Sequence, residues 1–150
     1  RGERTVDLED FFKDFFETIL EPDEMLTEIQ IPNLPARTGI SYMKFSTIEA
    51  GIKIAATSVL ITLDSGNTTC KDARIVLSAV APVPLRAKGA GELLVGKSIN
   101  DNLIQEAAQI ASNEARPVSD VHASAEYRRE LVKVLVQRAT KEASDRAKTA

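Results

Sequence analysis

The first candidates for chemistry are residues 91–98, whose sequence GELLVGKS fits the phosphate-binding pattern G-x-x-x-x-G-K-[ST]. A true phosphate loop follows a buried strand directly and keeps its backbone N–H groups free for phosphate. Here Pro82, Pro84 and several further residues separate the preceding apolar stretch from Gly91. Residues 92–95 also favour a helix with an inward apolar pair. We therefore expect no nucleotide hydrolysis, and a P-loop hydrolase is kept only as a remote alternative.

The chain has few side chains that could bind a metal ion or act as a nucleophile. Cys70 is the only cysteine, which excludes an internal disulfide and leaves too few thiolates for an iron–sulfur cluster or a Cys-rich zinc site. The single histidine, His122, has no second histidine with which to form a ligand pair, and we interpret it as a surface-loop residue. We expect no catalytic residue and no metal ligand in this chain.

Composition narrows the class of protein further. The chain has 150 residues and a formal net charge of -3, with acids and bases interspersed and no basic block for nucleic acid or an anionic membrane. No apolar run approaches the roughly 20 residues that span a bilayer. The sequence predicts one domain in the cytoplasm, with no nucleic-acid or membrane partner, and its start without Met suggests a fragment of something longer.

In the first half of the chain, the elements that could position a functional site are mainly the strands of a sheet. Behind an acidic turn, four phenylalanines between positions 11 and 16 predict a short helix, and residues 26–31 predict a strand. Further strands are predicted at 41–46, 52–63 and 73–80. The turn residues 64–67 make the last two strands an antiparallel hairpin, and we expect the prolines at 82 and 84 to end the sheet.

The second half changes to a helical period and predicts three helices, one around Leu94, one around Ala107 and one around Leu131. Ser98 with Asp101 suggests a capping box for the middle helix, and Ser124 an N-cap for the last. We expect the tail 141–150 to fray. Strands followed by helices indicate an α+β domain, an antiparallel sheet packed against a layer of about three C-terminal helices.

Several stretches carry a family resemblance. They are LEPDEMLTEIQIP at 20–32, YMKF at 42–45, ARIVLSAVAPVPLRA at 73–87, ELLVGK at 92–97, PVSD at 117–120 and YRREL at 127–131. In this order and spacing they resemble the C-terminal domain of the FAD-binding (medium) subunit of molybdenum hydroxylases, the family of carbon monoxide dehydrogenase and xanthine dehydrogenase. Each stretch alone is weak evidence, but the ordered set covers nearly the whole chain.

The resemblance implies a role in electron transfer. In such enzymes a large subunit with molybdopterin oxidises the substrate, iron–sulfur clusters on a small subunit relay electrons, and FAD passes them to an acceptor. Residues 1–20 would then be a linker or helix from a preceding FAD-binding region, and 21–150 the flavoprotein C-terminal domain. Because the glycine-rich phosphate loops of that region are absent from this sequence, we expect the chain alone to bind FAD weakly or not at all and to buttress the flavin site.

The resemblance implies that two residues contact the cofactor. Leu26 would pack as an apolar side chain near the flavin, and Lys44, within Tyr-x-Lys, would make a cationic contact. Ordinary core packing for Leu26 and a solvated strand lysine for Lys44 are the alternatives. The family usually has Asp-Ile-Ala where this chain has KIA at 53–55. Lys53 thus replaces a carboxylate near the flavin edge and leaves the electron acceptor open.

Arg128 also matches the family, and we expect it to pair with a carboxylate such as Asp120 in a structural role.

A freestanding interaction module of the same fold is the main alternative function. An upstream FAD-binding region in the same open reading frame would favour the domain of an FAD subunit over the freestanding module.

Overall fold

The computed structural model describes residues 2–47 and 51–150, and its main sheet has four antiparallel strands. Their order is β3 (Thr38–Phe45), β4 (Ala55–Leu63), β5 (Cys70–Ser78) and β6 (Leu85–Arg86). A separate two-stranded hairpin near the N-terminus consists of β1 (Phe12–Asp14) and β2 (Glu17–Thr18), preceded by the short helix α1 (Leu8–Phe11). The helices of the second half are α2 (Lys88–Leu94), α3 (Asp101–Glu114) and α4 (Ala125–Thr149). The predicted α+β architecture is confirmed.

The central hairpin follows its sequence closely. Strand β4 is buried on both faces over most of its length, as the continuous apolar pattern predicts. The Asp64 carboxylate closes the turn to β5 by accepting hydrogen bonds from the backbone N–H groups of Thr68 and Thr69, at 2.9 and 3.1 Å. Asn67 takes the left-handed conformation that turns require, with φ of 56°.

Helices α2 and α4 pack on one face of the sheet, α3 packs against both of them, and the three helices form the core with the sheet. Alternate residues of β4, such as Val59 and Ile61, are fully buried in the same core as small residues of the helices, such as Ala107 and Ala139. Small residues let the helices approach the sheet closely. At Gly39 of β3, an added Cβ would overlap the backbone of α4 around Ala143.

The expected fraying of the tail is wrong, because α4 runs to Thr149 and its last turns pack on the edge strand β3. Ala143, Ser144 and Ala147 are buried there. The Ser41 hydroxyl donates to the Glu142 carboxylate at 2.7 Å, and the Arg146 guanidinium donates to the backbone carbonyl of Ile40. Tertiary packing therefore extends a helix whose polar end suggested disorder.

Of the two predicted helix caps, one is confirmed and the other is wrong. Ser124 caps α4, since its hydroxyl accepts a hydrogen bond from the Tyr127 N–H at 3.1 Å. The cap of α3 is Asn100, whose side-chain oxygen accepts from the Leu103 N–H at 3.0 Å, whereas Ser98 bridges to Thr69 instead. Asn is as good a cap as Ser, and the position next to the first helical residue decides between them.

Three further expectations need correction. The phenylalanine segment is helical only as far as Phe11; Phe12 enters β1, and Phe15 and Phe16 form the turn of a hairpin. Residues 26–31 form no strand, because no neighbouring strand pairs with them in the described structure. The prolines do not end the sheet, since β6 follows them and pairs with β5 through Val76 and Leu77.

Candidate functional site

The candidate site begins on the outward face of β3. Alternate residues of this strand point away from the helices, so Ile40, Tyr42 and Lys44 are exposed while Ser41 faces α4. Lys44 lies opposite Ala56 of β4 and Tyr42 opposite Ser58. Strand register therefore fixes the position of Lys44, one of the two predicted cofactor contacts, two residues from a half-exposed tyrosine.

A second lysine reaches the same surface. The ammonium group of Lys53 lies 5.6 Å from the centroid of the Tyr42 ring, within the range of a cation–π contact. Since Tyr42 and Lys44 share a face of β3, this part of the sheet carries two cations and one aromatic ring. We name Tyr42, Lys44 and Lys53 the basic aromatic face. Such a surface suits an anionic, planar ligand, and it contains no pair of groups for general acid–base or nucleophilic catalysis.

Leu26, the other predicted contact, lies in the irregular segment between the hairpin and β3 and is 51% exposed. It is therefore not an interior strand residue, and its exposure leaves it available to a neighbouring surface. Its convergence with Lys44 on one cofactor stays a prediction.

Behind this face, Arg128 forms a buried polar centre. Its Nη1 donates to the backbone carbonyls of Ile54 and Ala79, at 2.7 and 3.1 Å, and its Nη2 donates to the Asp120 carboxylate at 2.6 Å. The predicted pairing with Asp120 is confirmed. Because Ile54 follows Lys53 directly, this network also holds the backbone next to the basic aromatic face.

The loop before α4 is organised around Asp120. The His122 N–H and the Arg128 guanidinium, in that order of importance, lower the pKa of the Asp120 carboxyl below its ordinary value. His122 itself is exposed, which agrees with its interpretation as a loop residue. Among the described residues, no group of His, Cys, Asp and Glu side chains is arranged to hold a metal ion.

The phosphate-loop pattern is used for packing. Gly91 lies inside α2, where its missing Cβ lets the helix approach the Ala73 carbonyl. The Gly96 and Lys97 N–H groups donate to the carbonyls of Cys70 and Leu94, at 2.8 and 3.2 Å. A helix that contains the first glycine and ends before the Gly-Lys pair cannot present its N-terminus to phosphate. The P-loop alternative is wrong.

Cys70 lies beside this segment and is buried. Burial in the core, and then the nearby Asp72 carboxylate, raise the pKa of its thiol to about 11. The thiol is therefore protonated at neutral pH and is neither a nucleophile nor a good metal ligand.

Sequence reasoning missed part of the basic aromatic face. In the sequence, Tyr42 stands out only as part of the YMKF motif, and Lys53 only as a departure from the family pattern. Strand alternation places Tyr42 and Lys44 on one face and could have shown the first of these. The approach of Lys53 depends on the path of the chain between β3 and β4, which no local pattern reveals.

Together these features define an α+β domain with one helix-covered sheet face and a basic aromatic surface on the other. The sequence model of the CO dehydrogenase flavoprotein C-terminal domain matches residues 40–143, and the chain belongs to this family. The recognised resemblance is thereby confirmed.

Curated relatives and solved structures agree with this assignment. The chain is 35% identical over 147 residues to the carbon monoxide dehydrogenase medium chain of Afipia carboxidovorans, covering 98% of this chain and 50% of that protein. It is 32% identical over 141 residues to the glyceraldehyde dehydrogenase medium chain of Sulfolobus acidocaldarius, covering 94% of this chain and 49% of that protein. The structure of carbon monoxide dehydrogenase from Hydrogenophaga pseudoflava superposes with a TM-score of 0.87 at 32% identity, covering 92% of this chain and 47% of that chain. The chain thus spans about half the length of the medium chains that it matches.

Proposed function

We propose that the chain is the C-terminal domain of the FAD-carrying subunit of a molybdenum-containing hydroxylase or dehydrogenase. In this assembly a large subunit with molybdopterin oxidises the substrate, a small subunit with iron–sulfur clusters relays electrons, and the FAD subunit delivers them to an acceptor. Membership of the flavoprotein family and the match to half of each medium chain support this role. The basic aromatic face is the structural observation that carries it.

The chemistry of that face fits FAD. The cofactor combines a planar ring system with an anionic pyrophosphate, and its bound flavin supplies the acceptance and release of electrons. Lys44 and Lys53 provide positive charge, and Tyr42 provides a flat apolar surface between polar groups. The domain would therefore close one side of a site whose phosphate loops belong to the preceding half of the subunit.

Within this proposal Lys44 holds an anionic or carbonyl oxygen of the cofactor by a charge-assisted hydrogen bond, and Leu26 packs near the flavin. Arg128 acts one step away, since it holds the Ile54 carbonyl and with it the backbone that leads to Lys53. Lys53 stands where the family usually has a carboxylate. A positive charge there would stabilise the electron-rich, reduced flavin and would attract an anionic acceptor.

We also propose that the assembly works in the cytoplasm. None of the helices in the described part of the chain combines the length and apolarity that a bilayer span requires. The buried, unpaired thiol of Cys70 suits a reducing compartment.

Titration of the 150-residue chain with FAD, followed by flavin fluorescence, tests the buttress role. Because the chain offers one side of the pocket only, we expect binding weaker than micromolar or none, on the order of 10⁻⁵ M or higher in Kd. Submicromolar binding with a flavin-like spectrum would contradict the buttress role. The full subunit, with its preceding half, should retain FAD through purification.

Lys44→Ala in the full subunit tests the contact itself. One partly exposed charge-assisted contact contributes at most about 1.5–3 kcal/mol, so FAD retention should fall modestly while the fold survives. Lys71→Ala is the matched control, because Lys71 is an exposed lysine at the opposite end of the sheet. FAD content and flavin potential that equal those of the control would show that Lys44 is an ordinary surface lysine.

A further inference from the structure

Strand β3 lies at an edge of the main sheet, because it pairs with β4 on one side and with no described strand on the other. The Leu63 N–H donates to the Arg37 carbonyl, so by strand alternation the odd-numbered residues of β3 bond to β4. The even-numbered residues direct their backbone groups to the open edge. The Arg146 guanidinium donates to the Ile40 carbonyl there, whereas no described strand pairs with the backbone of Tyr42.

This edge lacks two common forms of protection. Edge strands are often kept from further pairing by a proline or a bulge, and β3 has neither along its register with β4. The edge at Tyr42 is therefore geometrically able to accept another strand.

A groove of about 540 Å³ lies between β3 and α4. The partly buried side chain of Met43 lines it from the strand, and Arg138 and Lys141 line it from the helix. Met43 is next to Tyr42 in sequence, so the groove follows the open edge. Side chains alternate along a strand, so every second side chain of a segment added at Tyr42 would point into the groove.

The groove carries two positive charges. The side chains of Arg138 and Lys141 make no ion pair and no hydrogen bond within the described part of the chain. They are three residues apart on α4, a spacing at which like charges repel. The acids that line the groove, Glu142 and Asp145, pair with other cations further along the helix. We name Arg138 and Lys141 the basic pair; their charge is available to an acidic ligand.

We propose that an extended, acidic segment of a partner protein adds to the edge of β3 as a further strand. Its backbone forms hydrogen bonds with the N–H and carbonyl of Tyr42, and the acidic side chains that point into the groove meet the basic pair. This inference is independent of the proposed function, since it requires neither the flavin nor the side chains of the basic aromatic face.

Two physical arguments select this occupant. An open strand edge is complementary to another extended backbone, whose N–H and carbonyl groups alternate at the same spacing. The basic pair repels basic partners and attracts acidic ones. A second copy of this chain fails the second condition, because pairing β3 with β3 would bring two basic pairs together.

Titration of the 150-residue chain with the peptide acetyl-Val-Glu-Val-Glu-Val-Glu-amide, followed by nuclear magnetic resonance, tests the proposal. A short peptide must be ordered on binding, so we expect a Kd on the order of 10⁻⁴ to 10⁻³ M. Amide signals of Tyr42, Met43 and the basic pair should shift together, and hydrogen exchange of the Tyr42 N–H should slow. The same peptide with proline in place of its central valine should bind at least about tenfold more weakly, because proline lacks the backbone donor.

Charge variants test the basic pair. Arg138→Glu with Lys141→Glu should weaken binding about tenfold or more, and Arg138→Gln with Lys141→Gln, which only removes the charges, about threefold or more. Arg129→Glu with Lys71→Glu is the matched control and should change the Kd by less than about twofold. Both control residues are exposed, and Arg129 lies on the opposite side of α4 from Arg138, since nine residues turn a helix by about 900°.

Four results would overturn the inference. Absence of shifts at Tyr42 and Lys141 with millimolar peptide would leave the edge unoccupied. Equal binding of the proline peptide would show attraction between charges without strand pairing. An equal loss of affinity in the control variant would show that the basic pair has no special role. A chain that dimerises through β3 and binds no peptide would make the edge a contact between copies.

Discussion

Replacing Arg128 with methionine should destabilise the domain strongly, because this side chain joins three parts of the chain at one buried point. Only 7% of the side chain is exposed. Its guanidinium donates to the carbonyls of Ile54 and Ala79 and to the Asp120 carboxylate. These residues belong to the entrance of β4, the end of β5 and the loop before α4. No other side chain among the described residues makes hydrogen bonds to all three.

The magnitude follows from what the substitution leaves behind. Methionine keeps most of the apolar stem but removes the donors, so two carbonyls lose charge-assisted hydrogen bonds, each contributing about 1.5–3 kcal/mol. Asp120 is partly exposed and regains water, so the loss of its ion pair costs little. Relief from burying a guanidinium whose Nε has no partner offsets part of the loss. A net loss of about 3 kcal/mol remains, which lowers the melting temperature of a domain of this size by roughly 6–12 °C.

Thermal and urea unfolding followed by circular dichroism measure this effect in the 150-residue chain. Arg129→Met is the matched control, because the neighbouring arginine is exposed and should change stability by less than about 0.5 kcal/mol. Equal melting temperatures for the two variants would refute the reasoning, since they would show that the buried network adds nothing beyond the packing of its aliphatic stem.

Three further outcomes are expected. Gly39→Ala should lose more than about 2 kcal/mol in urea unfolding because its Cβ overlaps α4, whereas Gly66→Ala meets only ordinary contacts and should be nearly neutral; equal effects would contradict the close approach of β3 and α4. The lowered pKa of Asp120 means that its contribution is present above its ordinary pKa and is lost as the pH falls through the lower folded value. Asp120→Asn should therefore flatten the loss of stability below about pH 4, and parallel pH profiles of the two proteins would argue against this. The Cys70 thiol should resist iodoacetamide in the folded chain at pH 8 and react after unfolding, because burial raises its pKa to about 11; labelling of the native protein at the rate of a free thiol would show an open core.

The sequence by itself determined the elements whose patterns are complete within a few residues. The apolar run of β4 and the turn chemistry of Asp64 and Asn67 predict the central hairpin, because local propensity and burial agree there. Ser124 is a cap in sequence and in structure for the same reason. The family resemblance likewise depended on ordered motifs, and the match to residues 40–143 confirmed it.

Tertiary structure decided the elements whose partners are distant in sequence. The polar sequence at the end of α4 predicts fraying, yet contacts with β3, about a hundred residues away in sequence, keep it helical. Residues 26–31 alternate as a strand does, but a strand needs a neighbour to receive its hydrogen bonds, and they have none in the described chain. The approach of Lys53 to Tyr42 also depends on the path between two strands. Periodicity reports which residues share a face, whereas only the folded chain determines what that face meets.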